Sequence, residues 1–217
     1  MMITAHSGCE KTEMNSWDYI RLASGLAIGC LELDIRKSAD GTLLLTHDPI
    51  GEKPLIKLAD AFAYLADKTI LINCDLKEYG LEDDILSCAA ACGIDAARII
   101  FTGSVTDSMH FPETHKGVRV FINPEELVPD FYGNLPESPE AEAAAHDVVS
   151  ACKKAGYDVI NIDYRFLTPV TERIYREAGL GLSVWTVDDG ETMRELLKGG
   201  LVNMTTNEPV LACRAVK

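Results

Sequence analysis

With 217 residues, 47% of them hydrophobic, the chain can bury one substantial core, and no linker or low-complexity segment divides it, so a single domain over 1–217 is expected. A formal charge of −14, from 34 acidic and 20 basic residues, argues against nucleic acid as a partner, because binding its phosphates requires clustered Lys and Arg. No apolar run approaches the roughly 20 residues of a spanning helix, and the opening MMITAHSG reads as a strand rather than a signal stretch, so no integral membrane segment and a cytoplasmic location are expected.

Along the chain, short β-rich runs alternate with helical patterns. The expected strands are MITAHS (2–7), CLELDI (30–35), TILINCDLK (69–77), RIIFTG (98–103), VRVFIN (118–123), DVINID (158–163), GLSVWTV (181–187) and LVNMTTN (201–207). SWDYIRLASGLAIG follows the first as a helix, LADAFAYLAD precedes the third, and LEDDILSCAAACG follows it. EAEAAAHDVVSACKKAG, PVTERIYREAG and GETMRELLKGG complete the set, each ending in Gly as a helix C-cap should. Eight strands with intervening helices predict an α/β fold, a small (β/α)8 TIM barrel without a large cap insertion.

The connections are read in the same way. KSADGT carries the Asp40-Gly41 turn signal and should return the second strand as a hairpin through LLLTHD. SVTDSMHFPETHKG (104–117) predicts an irregular connection, and His110, His115 and His146 are assigned to the surface by default. After Asn123, PEELVPDFYGNLPESPE is a long Pro- and acid-rich loop, in which Phe131 and Tyr132 are candidates to cover a ligand; a plain surface loop is the alternative. The seven cysteines are odd in number and lack a CxxC spacing, which predicts core thiols of a reducing compartment, including Cys88 and Cys92 on one helix face.

Glu32 and Asp34, two apart on a strand, share a face while Leu31, Leu33 and Ile35 take the other. On a half-exposed sheet they would be ordinary solvated acids. In a parallel barrel both strand faces are covered, so the acids need another account. The third strand repeats the device with Asp75 and Lys77 near its C-terminal end, where barrel enzymes place their chemistry, and His6 ends the first strand likewise. Carboxylates crowded in a half-buried mouth repel one another unless protonated or bridged by a cation. An all-oxygen set favours one hard divalent ion, Mg²⁺ or Ca²⁺, over zinc. Glu32, Asp34 and Asp75 are therefore the expected metal ligands, and the hairpin should carry His47 back toward Glu32 as an acid/base group. Trp185, late in the seventh strand, is a candidate wall of the substrate pocket, with a core position as the alternative.

These residues resemble the glycerophosphodiester phosphodiesterases, members of the phosphatidylinositol phospholipase C-like phosphodiesterase superfamily. The family hallmarks are a first strand ending in HRG, an ENT-type turn, E-x-D, HD, E-x-K, WTVN and T-[DN]-x-P. Here they stand in the same order as HSG (6–8), MNS (14–16), ELD (32–34), HD (47–48), DLK (75–77), WTVD (185–188) and TNEP (206–209). The resemblance implies metal-dependent hydrolysis of a small-molecule glycerophosphodiester, such as glycerophosphocholine, to glycerol phosphate and an alcohol. It implies His6 and His47 as acid and base, Glu32, Asp34 and Asp75 as metal ligands, and Lys77 as a contact to the phosphate. Asn15 of the turn motif, Asn123 at the end of the fifth strand and Trp185 complete the expected substrate-binding set.

The chain also departs from the pattern. Ser7 stands at the family's usual Arg and Met14 at its usual Glu; losing both leaves no orphan charge if the two normally pair, but thins the phosphate clamp. Asp75 replaces a usual Glu and is one methylene shorter. A cyclising phosphodiester transfer, as in the related phospholipases, and a degenerate non-catalytic phosphodiester-binding protein are the alternatives to hydrolysis. Retention of both histidines and all three carboxylates weighs against the second.

Overall fold

Branched aliphatics at alternate positions give each strand one apolar face, and these faces turn outward against a ring of helices. Among residues 1–106, 115 and 117–215, which the computed structural model describes, the order is β1 (Met2–Ala5), α1 (Trp17–Gly25), β2 (Cys30–Lys37), β3 (Leu43–Leu45), α2 (Leu58–Leu65), β4 (Leu71–Leu76), α3 (Glu82–Ala91), β5 (Ile99–Gly103), β6 (Arg119–Val120), α4 (Pro139–Ala155), β7 (Val159–Asp163), α5 (Pro169–Glu177), β8 (Gly181–Trp185), α6 (Gly190–Lys198), β9 (Asn203–Thr206) and α7 (Pro209–Ala215). Most of the irregular connection expected over 104–117, His110 included, lies outside the described residues.

The barrel runs β6-β5-β4-β2-β1-β9-β8-β7, with parallel neighbours throughout. Register sets Asp34 beside Asp75 and Glu32 beside Asn73. The expected hairpin is present: β3 pairs antiparallel with β2, Ile35 opposite Leu45, and Gly41 makes the turn at φ 87°. Between β6 and β7 the circle is nearly closed by a parallel bridge, in which Ile122 N–H donates to Val159 at 3.0 Å and Asn161 N–H to Ile122 at 2.8 Å. The run expected as one strand over 118–123 is therefore shared, pairing with β5 as far as Phe121 and with β7 from Ile122.

Leu31, Leu33 and Ile35 of β2 and Ile72, Cys74 and Leu76 of β4 belong to the large outer core between strands and helices. Inside the barrel, the N-terminal ends of the strands close over a small apolar plug of Cys30, Ile100, Phe121 and Val159, backed by Met2 and Leu71. Above the plug the interior turns polar. Thr4 Oγ1 donates to Asn203 at 2.8 Å, Asn203 to Ser183 at 3.0 Å, Ser183 to Asn161 at 2.8 Å and Asn161 to Asn123 at 2.8 Å, so that these buried polar side chains satisfy one another.

Three expectations change. His115, assigned to the surface, is 7% exposed, with Nε2 2.7 Å from Asp83 Oδ1; this hydrogen bond to the first turn of α3 makes an inward histidine tolerable. Phe131 cannot cover a ligand, because it is buried in the main core and meets Tyr132 edge-on at 5.1 Å. The loop that holds it contains two short 3-10 turns, Pro124–Glu126 and Phe131–Gly133. Finally, α7 was not expected; at seven residues its periodicity is too short to read.

Candidate functional site

The C-terminal ends of the strands surround a cavity of about 250 Å³, whose walls include His6, Glu32, His47, Asp75, Lys77, Asn123 and Trp185. Asp34, 1% exposed, lies beneath, its Oδ1 3.0 Å from Lys77 Nζ, and Lys77 also bonds Asp75. Ligand atoms of Glu32, Asp34 and Asp75 lie within 4.8 Å of one another. The adjacency of β2 and β4 brings them together, since strands in register place residues of equal height side by side. On the other side of β4, Gly103 of β5 allows a close approach to Asp75: its φ is 76°, and a Cβ there would lie 2.3 Å from the Leu76 carbonyl and 2.8 Å from Asp75 Oδ1.

The electrostatics of the cluster are those of a cation site. Burial pushes the Glu32 carboxyl well above its ordinary range, and the nearby Asp75 and Asp34 push it further. Burial acts on Asp34 in the same sense, but the Lys77 ammonium and a bond from Asn15 outweigh it and hold that carboxyl below the ordinary range. Lys77 is correspondingly raised: its own burial is overcome by Asp75 and Asp34. Three oxygen-only side chains at this spacing, one of them costly to ionise without a further positive charge, fit a hard divalent ion.

Two histidines approach from different sides. His6 Nε2 is 3.7 Å from Glu32 Oε1, and burial, only partly offset by Asp34, lowers its pKa from 6.5. His47 follows β3, its side chain 54% exposed and its Nδ1 3.1 Å from Asp48 Oδ1. Arg36, absent from the expected site, holds this segment in place: its Nε donates to the His47 carbonyl at 3.1 Å and its Nη1 to Glu78 at 3.2 Å. A charged residue in the same alternation as Glu32 and Asp34 was the available signal.

The predicted substrate contacts occupy different positions. Asn15 is buried at φ 54°; its Nδ2 donates to Asp34 Oδ2 at 2.7 Å and its Oδ1 accepts the Asp34 amide at 3.1 Å, so it holds Asp34 from the side. Asn123 accepts from Asn161 and donates to Glu125 at 3.1 Å. Trp185 lines the cavity, donates from Nε1 to the Asn161 carbonyl at 3.2 Å and meets Tyr132 edge-on at 6.2 Å. The motifs WTVD and TNEP touch: Asp188 accepts from the Asn207 amide at 2.7 Å and from its side chain at 2.9 Å, while Thr206 receives the His6 amide at 2.9 Å. Tyr19 was missed altogether. Its buried hydroxyl accepts the Glu32 amide at 3.0 Å and lies 2.7 Å from the Glu32 carbonyl, fixing the backbone behind that carboxylate.

This architecture has close counterparts. A glycerophosphodiester phosphodiesterase from Parabacteroides distasonis superposes with a TM-score of 0.75 at 20% identity, covering 99% of this chain and 96% of that one. The enzyme of the same name from Thermotoga maritima gives 0.71 at 18%, covering 99% and 97%. The chain has the glycerophosphodiester phosphodiesterase fold. A phosphodiesterase from Oleispira antarctica, solved in complex with the product sn-glycerol-3-phosphate, shares it at a TM-score of 0.70 and 14% identity, over 100% and 96% of the two chains. No family model and no curated protein matches the sequence. The fold is held in common while most side chains have changed.

Proposed function

We propose that this protein is a metal-dependent hydrolase of glycerophosphodiesters, acting as one barrel domain on a small-molecule substrate and releasing glycerol phosphate and an alcohol. The observation that carries the reading is the convergence of Glu32, Asp34, Asp75, Lys77 and His6 from neighbouring strands on one cavity, in a fold shared with phosphodiesterases. The product bound in the Oleispira antarctica neighbour has the chemistry such a cavity would hold.

Glu32, Asp34 and Asp75 would hold a single Mg²⁺ or Ca²⁺. Such an ion supplies charge withdrawal from a non-bridging phosphate oxygen and in-line orientation of the ester. Lys77, already between two carboxylates, offers the phosphate a second positive charge. His6 and His47 divide the proton work. The lowered pKa of His6 keeps it neutral at physiological pH and able to accept a proton. Asn123 and Trp185 bound the space for the organic substituent, and Asn15 acts on substrate through Asp34. The seven free cysteines suit a reducing, cytoplasmic setting, and no described helix is long and apolar enough to cross a membrane.

A panel of glycerophosphodiesters incubated with Mg²⁺, Ca²⁺ or Mn²⁺ and followed by phosphorus NMR tests the assignment. Conversion to glycerol phosphate is expected; accumulation of a cyclic phosphate would replace hydrolysis by transfer, and binding without turnover would leave a non-catalytic binder.

A further inference from the structure

Beside the cavity lies a larger trough, of about 530 Å³, between the β1–α1 loop and the segment that follows β3. Its apolar walls come from Met14, Trp17, Leu45, Leu55 and Ile56. Trp17 is a rigid part of that wall, held edge-on to Tyr64 at 5.9 Å with the Arg21 guanidinium 5.5 Å from its ring centre. Met14, 44% exposed, places an adaptable thioether at the lip. The charges at the trough are largely paired. Among its described lining residues Lys53 bonds Glu13, His47 Nδ1 lies 3.1 Å from Asp48 Oδ1, and Glu52 adds a further acid, a balance that does not favour an anionic group.

The trough and the cavity meet at His47, which lines both. A diester whose phosphorus sits over the carboxylates must keep one substituent in the smaller cavity and pass the other beyond His47. The smaller space suits a polar group such as glycerol, among Asn123, Glu125 and Thr186. The trough is larger than a small alcohol needs and lies within the range that takes a whole organic ligand.

We propose that the trough binds an apolar alkyl chain carried directly on the ester oxygen nearest His47, so that the preferred diester joins glycerol to a chain alcohol. The proposal rests on the diesterase reading for its catalytic consequence but not for its binding consequence, and the two are tested separately. Calorimetric titration of the metal-loaded protein with n-alkyl phosphates from ethyl to octyl should show affinity rising about fourfold per methylene, equivalent to ~0.8 kcal/mol for each CH₂ buried, until the trough is full. Met14→Glu and Leu55→Asp, each confirmed as folded by circular dichroism, should flatten that rise. Affinity independent of chain length, or a rise unchanged in both variants, overturns the proposal. With glycerophosphoalkanol esters of growing chain as substrates, kcat/KM should climb in parallel. Hydrolysis at a rate flat in chain length sinks the trough proposal and spares the diesterase reading. No hydrolysis, with the alkyl phosphate rise intact, does the reverse.

Discussion

Replacing Lys77 by Gln isolates the charge balance of the cluster. Lys77 Nζ bonds Asp75 and lies 3.0 Å from Asp34, which is 1% exposed, while its own side chain is 18% exposed. Removing one partner of a buried ion pair costs on the order of 3–5 kcal/mol, and the open mouth favours the lower end, about 3 kcal/mol. For a chain of this size that is a fall in Tm of roughly 6–12 °C, at about 2–4 °C per kcal/mol. The loss should appear in full in chelator and shrink when Mg²⁺ or Ca²⁺ is added, because the ion takes over the neutralisation of the same carboxylates. Calorimetric titration of Lys77→Gln should also show tighter metal binding, since a fixed positive charge beside the ion is gone. Differential scanning calorimetry with and without the ion is the assay. An equal loss in both conditions would refute the reasoning, since it would mean that Lys77 and the metal do not answer the same need.

Asp34→Ala should abolish calorimetric uptake of the divalent ion, and retention of parental affinity would remove Asp34 from the site. His6→Ala and His47→Ala should each lower turnover by roughly 10² or more with the fold intact, and near-normal turnover in either assigns that histidine a structural part. Burial, reinforced by Glu126, holds the Glu125 carboxyl above its ordinary 4.5. A carboxyl raised in the folded state gives stability that is present below pH 4.5 and lost as pH rises through the folded value. Glu125→Gln should therefore gain on the parent in Tm as pH rises through that folded value and converge with it below pH 4.5; a difference constant across the range would show that ionisation is not the cause.

The alternation in CLELDI and NCDLK made the carboxylate cluster legible, because a strand inside a nearly closed barrel leaves buried acids no solvent to face. The hairpin was legible from Asp-Gly. Tyr19, Arg36 and Gly103 were not, and the reason is common to them. Tyr19 and Arg36 act on backbone atoms of other segments, which the local pattern does not show, while the left-handed turn at Gly103 is required by a neighbouring strand rather than by its own segment. His115 misled because the default places an isolated histidine outside, and Asp83, its partner, lies on another element. The interior belt of Thr4, Asn203, Ser183 and Asn161 reads locally as weak strand sequence, and its meaning appears only when the barrel closes.

The join between β6 and β7 lies diametrically across the barrel from β1 and β2. There the backbone ladder thins to the Ile122–Ile160 bridge, and the Asn161–Asn123 side-chain bond stitches what the main chain leaves loose. A cylinder yields first where its stitching is sparsest, so thermal breathing should concentrate on that side, away from the three carboxylates. Asn123 stands at that join and Trp185 one strand beyond it on β8, so these parts of the cavity wall should move more than Glu32 and Asp34 on β2 or Asp75 on β4. A mutation that loosens this join should therefore leave the spacing of the three carboxylates unchanged.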